Sequence, residues 1–348
     1  MAANKDGKTT KKKRLGPPRL SRSEKNPIIS PKKENTWENW QTFNPGAILI
    51  KGKIYIIYRA VGDDGLSRLG YAASKDGITI DERLPFPVYA HKPSKSNFNY
   101  CSFASGGSFG GVEDPRLVRV ENEDTIYMTY TACDEGPRIG LTSIKVDDFL
   151  QKKWKWKSPE IISAPDEVHK NWVIFPQKIK GKYAILHSLC PELLIDYRDS
   201  LKFKKGEFIK SCYNGTNPLK NCWDDWLRGA GAPPIKTRLG WLLFYHAMSV
   251  KDPGNYKVGA MILDLKNPNK ILYRAKEPVF EPKADYENNG FKSGVVYVTG
   301  AIVKKGKIFV YYGASDTHVG VATADLEGFL EALTQSAEPK LNSKKQEI

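Results

Sequence analysis

The most regular feature of the chain is a pattern of apolar and polar positions that recurs five times. In each copy an apolar run is followed by a short turn, usually with Gly, and then by a second apolar run rich in aromatic residues. Apolar runs of this length joined by such turns predict paired β-strands. The copies are NPGAILIKGKIYIIYRA from Asn44, EDPRLVRVENEDTIYMTYTA from Glu113, NWVIFPQKIKGKYAILHS from Asn171, GAPPIKTRLGWLLFYHA from Gly231 and TGAIVKKGKIFVYYGASD from Thr299.

A third β-like run follows each hairpin after a polar loop. The stretches between copies leave room for a fourth, outer strand, for example KWKWKS near Trp154 or KILYRA near Ile271. Radial repetition of such units is typical of β-propeller blades. The pattern therefore predicts an all-β fold, a five-bladed β-propeller over residues 37–333. A β-sandwich needs no such regular period, and two domains would need a linker, which the repeat region lacks.

The charge of the chain is concentrated near its beginning. The net charge is +15, and the first 36 residues hold 11 Lys and Arg against 3 Asp and Glu. Because this segment lacks periodic apolar residues and contains several prolines, we predict a basic, disordered N-terminal tail over residues 1–36. Residues 334–348 are assigned to a polar C-terminal tail. The basic run from Lys11 to Arg14 has no RNA-binding module beside it, so nucleic acid is not an expected partner.

The remaining composition narrows the class of protein. No apolar run is long enough to span a bilayer, and no apolar stretch follows the N-terminal lysines, so we expect a cytoplasmic protein without a membrane partner. The five cysteines are scattered and odd in number, which favours neither a disulfide framework nor a metal site, and we expect no cofactor. A homo-oligomer is left open.

Residues at equivalent ends of the repeats converge on the channel of a propeller. The starts contribute amide and carboxylate groups, and the ends contribute cationic, hydroxyl and imidazole groups. Carboxylates and amides beside aromatic side chains favour a carbohydrate site, in which one carboxylic acid protonates the glycosidic oxygen. The candidate carboxylates are Asp63, Asp64, Glu113, Asp114, Asp285, Glu287 and Asp316.

Four segments resemble glycoside hydrolase family 130, which contains β-mannoside phosphorylases and β-1,2-mannosidases on a five-bladed propeller. They are GGVEDPRL at 110–117, IFPQKIKGKYAILHS at 174–188, GAPPIKTRLGWLLFYHA at 231–247 and YYGASD at 311–316. The resemblance implies that Asp114, in the E-D-P-R segment, is the general acid, acting through a hydroxyl of the bound mannose, with inversion at the anomeric carbon. It also implies sugar-binding roles for residues near the mannose. The full set of candidate substrate-binding residues is Arg59, Asp63, Arg68, Glu113, Arg116, Asn171, Asp285 and Asp316.

The region that holds phosphate in the family's phosphorylases is less complete here. It supplies Lys170, Tyr245 and His246, but the usual His-Arg pair is His187-Ser188. Because an arginine is the best bidentate phosphate ligand, its absence favours hydrolysis, with Glu192 as a candidate to activate water. We therefore predict an inverting, β-1,2-mannosidase-like glycosidase acting on β-mannoside oligosaccharides. The alternatives are a phosphorylase that uses inorganic phosphate as co-substrate and a non-catalytic carbohydrate-binding propeller.

Each of these residues also has an ordinary structural interpretation. Arg59 and Arg68 could pair with Asp63 and Asp64 across a surface loop, and a lone histidine such as His187 is often a packing group. The tryptophans Trp223, Trp226 and Trp241 could belong to the core. For Asp114, motif, repeat position and chemistry agree on a catalytic role.

Overall fold

The computed structural model describes residues 16–90, 110–133, 136–165, 167–212 and 222–336. Within these residues the chain forms twenty β-strands and three short helices. The all-β prediction is confirmed. No helix of the described chain is long and apolar enough to cross a membrane.

The strands form five antiparallel units in chain order, counted over the described residues. The first contains β2 (Gln41–Ile50), β3 (Lys53–Val61), β4 (Leu66–Ser74) and β5 (Glu82–Arg83), and the second contains β6 (Gly110–Arg119), β7 (Thr125–Cys133), β8 (Pro137–Lys145) and β9 (Glu160–Ile161). The third contains β10 (Val173–Ile174), β11 (Tyr183–Ser188) and β12 (Leu194–Arg198).

The fourth and fifth units complete the set. The fourth contains β13 (Trp226–Ala230), β14 (Ile235–Lys236), β15 (Trp241–Ser249), β16 (Asp252–Leu263) and β17 (Ile271–Arg274). The fifth contains β18 (Val296–Lys304), β19 (Lys307–Ala314), β20 (His318–Asp325) and β1 (Ser21–Arg22). The helices are α1 (Val146–Leu150), α2 (Asp285–Asn288) and α3 (Leu326–Ser336).

The buried apolar residues form clusters between units rather than within them. Each of five clusters combines strands of two units, in the pairs first–second, second–third, third–fourth, fourth–fifth and fifth–first. The last pair packs Ile54 and Ile56 of β3 with Phe309 and Tyr311 of β19. Each unit therefore buries both faces against its neighbours, which explains its nearly continuous apolar strands.

Close approach of the first strands requires glycine. A Cβ on Gly46 of β2 would lie 2.5 Å from the Pro115 carbonyl oxygen of β6. One on Gly300 of β18 would lie 2.6 Å from the carbonyl oxygen of Pro45. Side chains at these positions would separate the strands, so the glycines allow β18, β2 and β6 to meet.

Part of the segment predicted as a disordered tail is folded. From residue 16 onward the chain runs along the fifth unit, where β1 pairs with β20. Leu20 and Ile29 are buried, and the Arg22 guanidinium binds the fully buried carboxylate of Glu287. The basic composition is compatible with order because two apolar residues and one ion pair anchor the segment. The part before residue 16 lies outside the described residues.

One of the two predicted outer strands is confirmed. KILYRA contains β17, whereas KWKWKS precedes β9 and is not a strand. The reason is that Trp154 and Trp156 pack against the core between the first and second units, and the Trp156 indole donates to the Val88 carbonyl at 3.1 Å.

Candidate active site

Several unit starts and one unit end have a left-handed backbone. Asn44 (φ 42°), Asp114 (φ 53°), Asn171 (φ 68°) and Asp316 (φ 50°) all adopt positive φ without being glycine. The β2–β3 and β6–β7 ladders shift register at Asn44 and at Asp114. Such conformations cost about 1–3 kcal/mol each and cluster at functional sites. Here they re-aim short polar side chains, and the Asn44 amide meets the Asp114 carboxylate at 2.7 Å.

Asp114 is buried, with 2% of its surface exposed. Its Oδ1 accepts hydrogen bonds from Asn44 Nδ2 at 2.7 Å and from Arg59 NH1 at 3.4 Å. Its Oδ2 accepts no hydrogen bond from a described residue. The carboxylate is therefore fixed through one oxygen.

Glu113 has a different environment although it is the next residue. Its Oε1 accepts from Arg59 NH2 at 2.7 Å, and its Oε2 accepts from Lys170 Nζ at 3.2 Å. The Arg59 Nε also donates to Ser67 Oγ at 3.0 Å. Arg59 and Glu113 are fully buried. Since both oxygens of Glu113 are occupied by cations, this residue holds Arg59 and Lys170 in place.

Asp114 and Asp316 have pKa values displaced in opposite directions. Burial by itself would raise the pKa of Asp114, but the positive charges of Arg59, Lys170 and Arg116 outweigh burial and lower it. Burial raises the pKa of Asp316, although Lys292, whose Nζ lies 3.6 Å from Asp316 Oδ2, opposes the rise. Two carboxyl groups with divergent pKa values in one buried site are characteristic of acid–base chemistry.

A second network links the E-D-P-R segment to the third unit. Arg116 donates to the Gly231 carbonyl at 2.8 Å and to Asn171 Oδ1 at 2.7 Å. The Tyr297 hydroxyl donates to the same Asn171 oxygen at 2.6 Å. Arg116 NH1 also binds the Asp114 carbonyl at 2.8 Å. Arg116 and Asn171 thus fix the backbone that carries Asp114.

His246 lies beside this network. Its ring stacks on Tyr297 with centroids 3.8 Å apart, and its Nε2 lies 2.7 Å from the Val298 carbonyl oxygen. Because a carbonyl only accepts, Nε2 carries the proton. Nδ1 is buried and has no partner among the described residues. Burial, together with the charge of Arg116, lowers the pKa of His246 to about 3, so the ring is neutral.

A small cleft of ≈ 20 Å³ lies between the third and fourth units, next to this network. Lys170 and Arg228 line it together with His187 and Ser188. His187 Nδ1 lies 2.8 Å from Ser211 Oγ, and burial lowers the pKa of His187 to about 4. Arg228 donates from Nε to the Tyr256 hydroxyl at 3.1 Å. The cleft thus combines two cations with a neutral imidazole and a hydroxyl.

The structure does not bring all predicted residues to this site. Asp63 is exposed and accepts from Asn39 at 2.6 Å, and Arg68 pairs with Asp64 at 2.9 Å, the surface arrangement considered above. Asp285 is exposed at the start of α2, where it accepts from Asn289, and Glu192 is exposed on the loop before β12.

Tyr245 was predicted to belong to the phosphate region, but the structure places its side chain away from the cleft. Its ring is buried between units and stacks with Trp223, and its hydroxyl donates to Asp224 at 2.7 Å. The physical reason is strand alternation, because Tyr245 and His246 are consecutive in β15 and point to opposite faces.

Arg228 is the functional candidate that sequence reasoning missed. It belongs to β13, which pairs with the C-terminal half of β15. The following strand, β14, pairs with the N-terminal end of β15. The predicted fourth hairpin begins at Gly231 and so omits this strand. The signal that could have found Arg228 is the segment WLRGA, a short run with the Gly that elsewhere marks the start of a unit.

Comparisons with known proteins agree with this geometry. The family model of glycoside hydrolase family 130, described as beta-1,4-mannooligosaccharide phosphorylase, matches residues 14–335. A 1,2-beta-oligomannan phosphorylase of Thermoanaerobacter sp. (strain X514) is 36% identical over 89% of this chain and 98% of its own. A beta-1,2-mannobiose phosphorylase of the same organism is 34% identical over the same shares.

A solved structure shows the same likeness in three dimensions. The beta-1,2-mannobiose phosphorylase from Listeria innocua, in complex with beta-1,2-mannobiose, superposes with a TM-score of 0.68 at 26% identity, covering 90% of this chain and 99% of that one. The family match spans nearly the whole described chain, including the E-D-P-R segment and the cleft residues. The chain belongs to glycoside hydrolase family 130.

Proposed function

We propose that this chain is a β-1,2-mannoside phosphorylase that transfers a mannosyl group from mannobiose or a longer oligomannan to inorganic phosphate. The observation that carries the proposal is the cleft in which Lys170 and Arg228 lie beside the Asp114 network. The relatives named above support the choice of phosphorolysis and of the β-1,2 linkage. The preference for hydrolysis rested on the serine at position 188. Arg228 weakens that reason, because it is an arginine among the residues that line the same cleft, carried on another strand.

The cleft has the chemistry that a phosphate dianion requires. A guanidinium and an ammonium supply charge-assisted hydrogen bonds. His187 is neutral, so it adds a polar partner without a further charge. Lys170 also contacts Glu113, which connects the cleft to the Arg59–Asp114 pair. Phosphate held here would lie next to the anomeric carbon of a sugar bound at Asp114.

In the proposed reaction a phosphate oxygen attacks the anomeric carbon as the bond to the leaving oxygen breaks. The proton of Asp114 passes, through a hydroxyl of the bound mannose, to the leaving oxygen. The phosphate proton is released and restores the acid form. Attack from the face opposite the leaving group inverts the β-linkage, so the products are α-mannose 1-phosphate and a shortened sugar.

The electrostatics of the site suit this order of events. Arg59, Lys170 and Arg116 lower the pKa of Asp114 in the free protein. A phosphate dianion beside Lys170 would offset part of this positive field and favour protonation of Asp114. The acid would thus form when the nucleophile is present.

The test is incubation with mannobioses of each linkage, with and without phosphate, with mannose and mannose 1-phosphate measured separately. We expect phosphate-dependent consumption of β-1,2-mannobiose. Equal release of mannose without phosphate would establish the hydrolase alternative. Binding of mannobiose without turnover in either condition would establish the carbohydrate-binding alternative.

We also infer that the five units are the blades of one closed propeller. The support is the set of apolar clusters, the last of which joins the fifth unit to the first, and the pairing of β1 with β20 in the last unit. An experimental structure tests this inference directly. Any arrangement in which the first and fifth units do not pack together contradicts it.

A further inference from the structure

Trp40 is an exposed aromatic residue that directly precedes β2, the strand that carries Asn44. It is 39% exposed, one of four large hydrophobic side chains that are exposed among the described residues. Its indole N–H donates to no described group. Apart from Trp40 and Phe86, the described aromatic side chains are buried or half-buried.

The backbone places Trp40 on the same side of the fold as Asp114. Trp40 N donates to the Val61 carbonyl at 3.2 Å, which extends the β2–β3 ladder by one residue beyond Gln41. Two residues on, Thr42 N donates to the Thr317 carbonyl at 3.1 Å. Trp40 is four residues from Asn44, a strand distance of about 13 Å. It therefore lies outside the space of the sugar next to Asp114.

Phe291 holds the Trp40 ring in place. The two ring centroids are 5.3 Å apart at 85°, an edge-to-face contact. Phe291 N donates to Thr317 Oγ1 at 2.9 Å, and the next residue, Lys292, has its Nζ 3.6 Å from Asp316 Oδ2. The aromatic pair is thus tied to the loop that carries a buried carboxyl group of the site.

A polar residue of the first unit directly precedes Trp40 in the chain. Asn39, adjacent to Trp40, donates to the exposed Asp63 at 2.6 Å. The neighbouring Asp64 binds Arg68 at 2.9 Å. An aromatic face beside carboxylates, amides and a guanidinium is the chemistry that recognises a sugar ring. Asp63, which is hydrogen-bonded to the residue before Trp40, is the carboxylate we consider for such a ring.

We propose that Trp40, supported by Phe291, stacks on a mannosyl residue of an oligomannan beyond the two residues that flank the cleaved bond. This inference rests on the proposed function, because it takes its ligand from the same substrate. Trp40 would then set the preference for substrate length, while the buried residues around Asp114 would cleave the bond.

The test compares Trp40→Ala with Phe86→Ala on β-1,2-linked mannobiose, mannotriose and mannotetraose. Phe86 is a matched control because it is 49% exposed and follows β5, the outer strand of the first unit. We expect Trp40→Ala to lower kcat/KM for the longer substrates by about three- to tenfold, through KM, as the loss of one aromatic contact implies. Mannobiose should change by less than about twofold, Trp40→Phe should recover most of the loss, and Phe86→Ala should match the wild type.

Two results would overturn the proposal. One is an equal loss on all three substrates, which would mean that Trp40 supports the buried site. The other is no loss on any substrate. Binding of the same sugars to Asp114→Asn protein, with and without Trp40→Ala, gives an answer that does not depend on turnover. A loss of binding that grows with the length of the sugar would support stacking on Trp40 even if the chain proved not to use phosphate.

Discussion

Replacing Arg22 by Met should destabilise the protein, although Arg22 lies in a segment whose composition predicts disorder. The Arg22 guanidinium binds both oxygens of Glu287, at 2.8 Å and 2.6 Å, and Glu287 has no exposed side-chain surface. Removing one partner of a buried ion pair costs about 3–5 kcal/mol. Three other donors still reach Glu287, from Lys283 N, Ala284 N and the Tyr312 hydroxyl, so the loss should lie near the lower end, about 3 kcal/mol.

The assay is thermal unfolding. An unfolding entropy of about 2.1 cal/mol/K per residue gives roughly 0.7 kcal/mol/K for this chain, so Arg22→Met should lower Tm by about 4 °C. Arg19→Met is the matched control, because Arg19 pairs with Glu277 in the same segment but both side chains are about half exposed. Its effect should be at most about 1 kcal/mol. Adding Glu287→Gln to Arg22→Met should recover part of the loss. Equal Tm values for Arg19→Met and Arg22→Met would refute the claim that this segment is anchored by a buried pair.

Arg228→Met should raise KM for phosphate at least tenfold while changing KM for mannobiose less than threefold, since it removes one charge-assisted contact; steady-state kinetics in both substrates checks this, and an unchanged phosphate KM contradicts it. Tyr245→Phe should leave phosphate KM unchanged but destabilise the fold by about 1–3 kcal/mol, measured by urea unfolding, because Asp224 loses a buried donor. The pKa values of His187 and His246, lowered to about 4 and about 3, lie below that of an unfolded histidine near 6.5. The unfolded chain therefore binds more protons between these values, and the free energy of unfolding should fall as pH drops from about 6.5 to about 4, by up to about 1.4 kcal/mol per pH unit for each histidine. His187→Asn should reduce that slope by one proton, and identical slopes in urea melts at pH 6.5, 5.5 and 4.5 would show that His187 is not buried as a neutral group.

The strand units could be predicted because their signals are local. A hairpin depends on two apolar runs and a turn, and all five predicted hairpins coincide with paired strands or bridges of the structure. Asp114 could be predicted because its motif and its place in the repeat agree. Asn44 and Asp114 lie near the starts of the first strands of the first and second units, and their side chains are in contact.

Other features depend on contacts that the sequence does not display. The pairing of β1 with β20 joins residues about 300 positions apart, and two isolated apolar residues together with the Arg22–Glu287 pair anchor that segment. Arg228 was missed because the fourth unit has an additional strand before its apparent start. Tyr245 was misplaced although alternation along β15 allows only one of Tyr245 and His246 to face the site.

In the proposed reaction phosphate accepts the mannosyl group and Asp114 delivers the proton. The most direct measurement is a ³¹P NMR time course of β-1,2-mannobiose with phosphate, run with the wild type and with Asp114→Asn, which keeps the shape of the side chain but cannot donate the proton. We expect α-mannose 1-phosphate in equal amount to free mannose for the wild type, and a rate lower by about 10²–10⁴ for Asp114→Asn. Two molecules of mannose per mannobiose without a new phosphorus signal, or an undiminished rate for Asp114→Asn, would contradict this expectation.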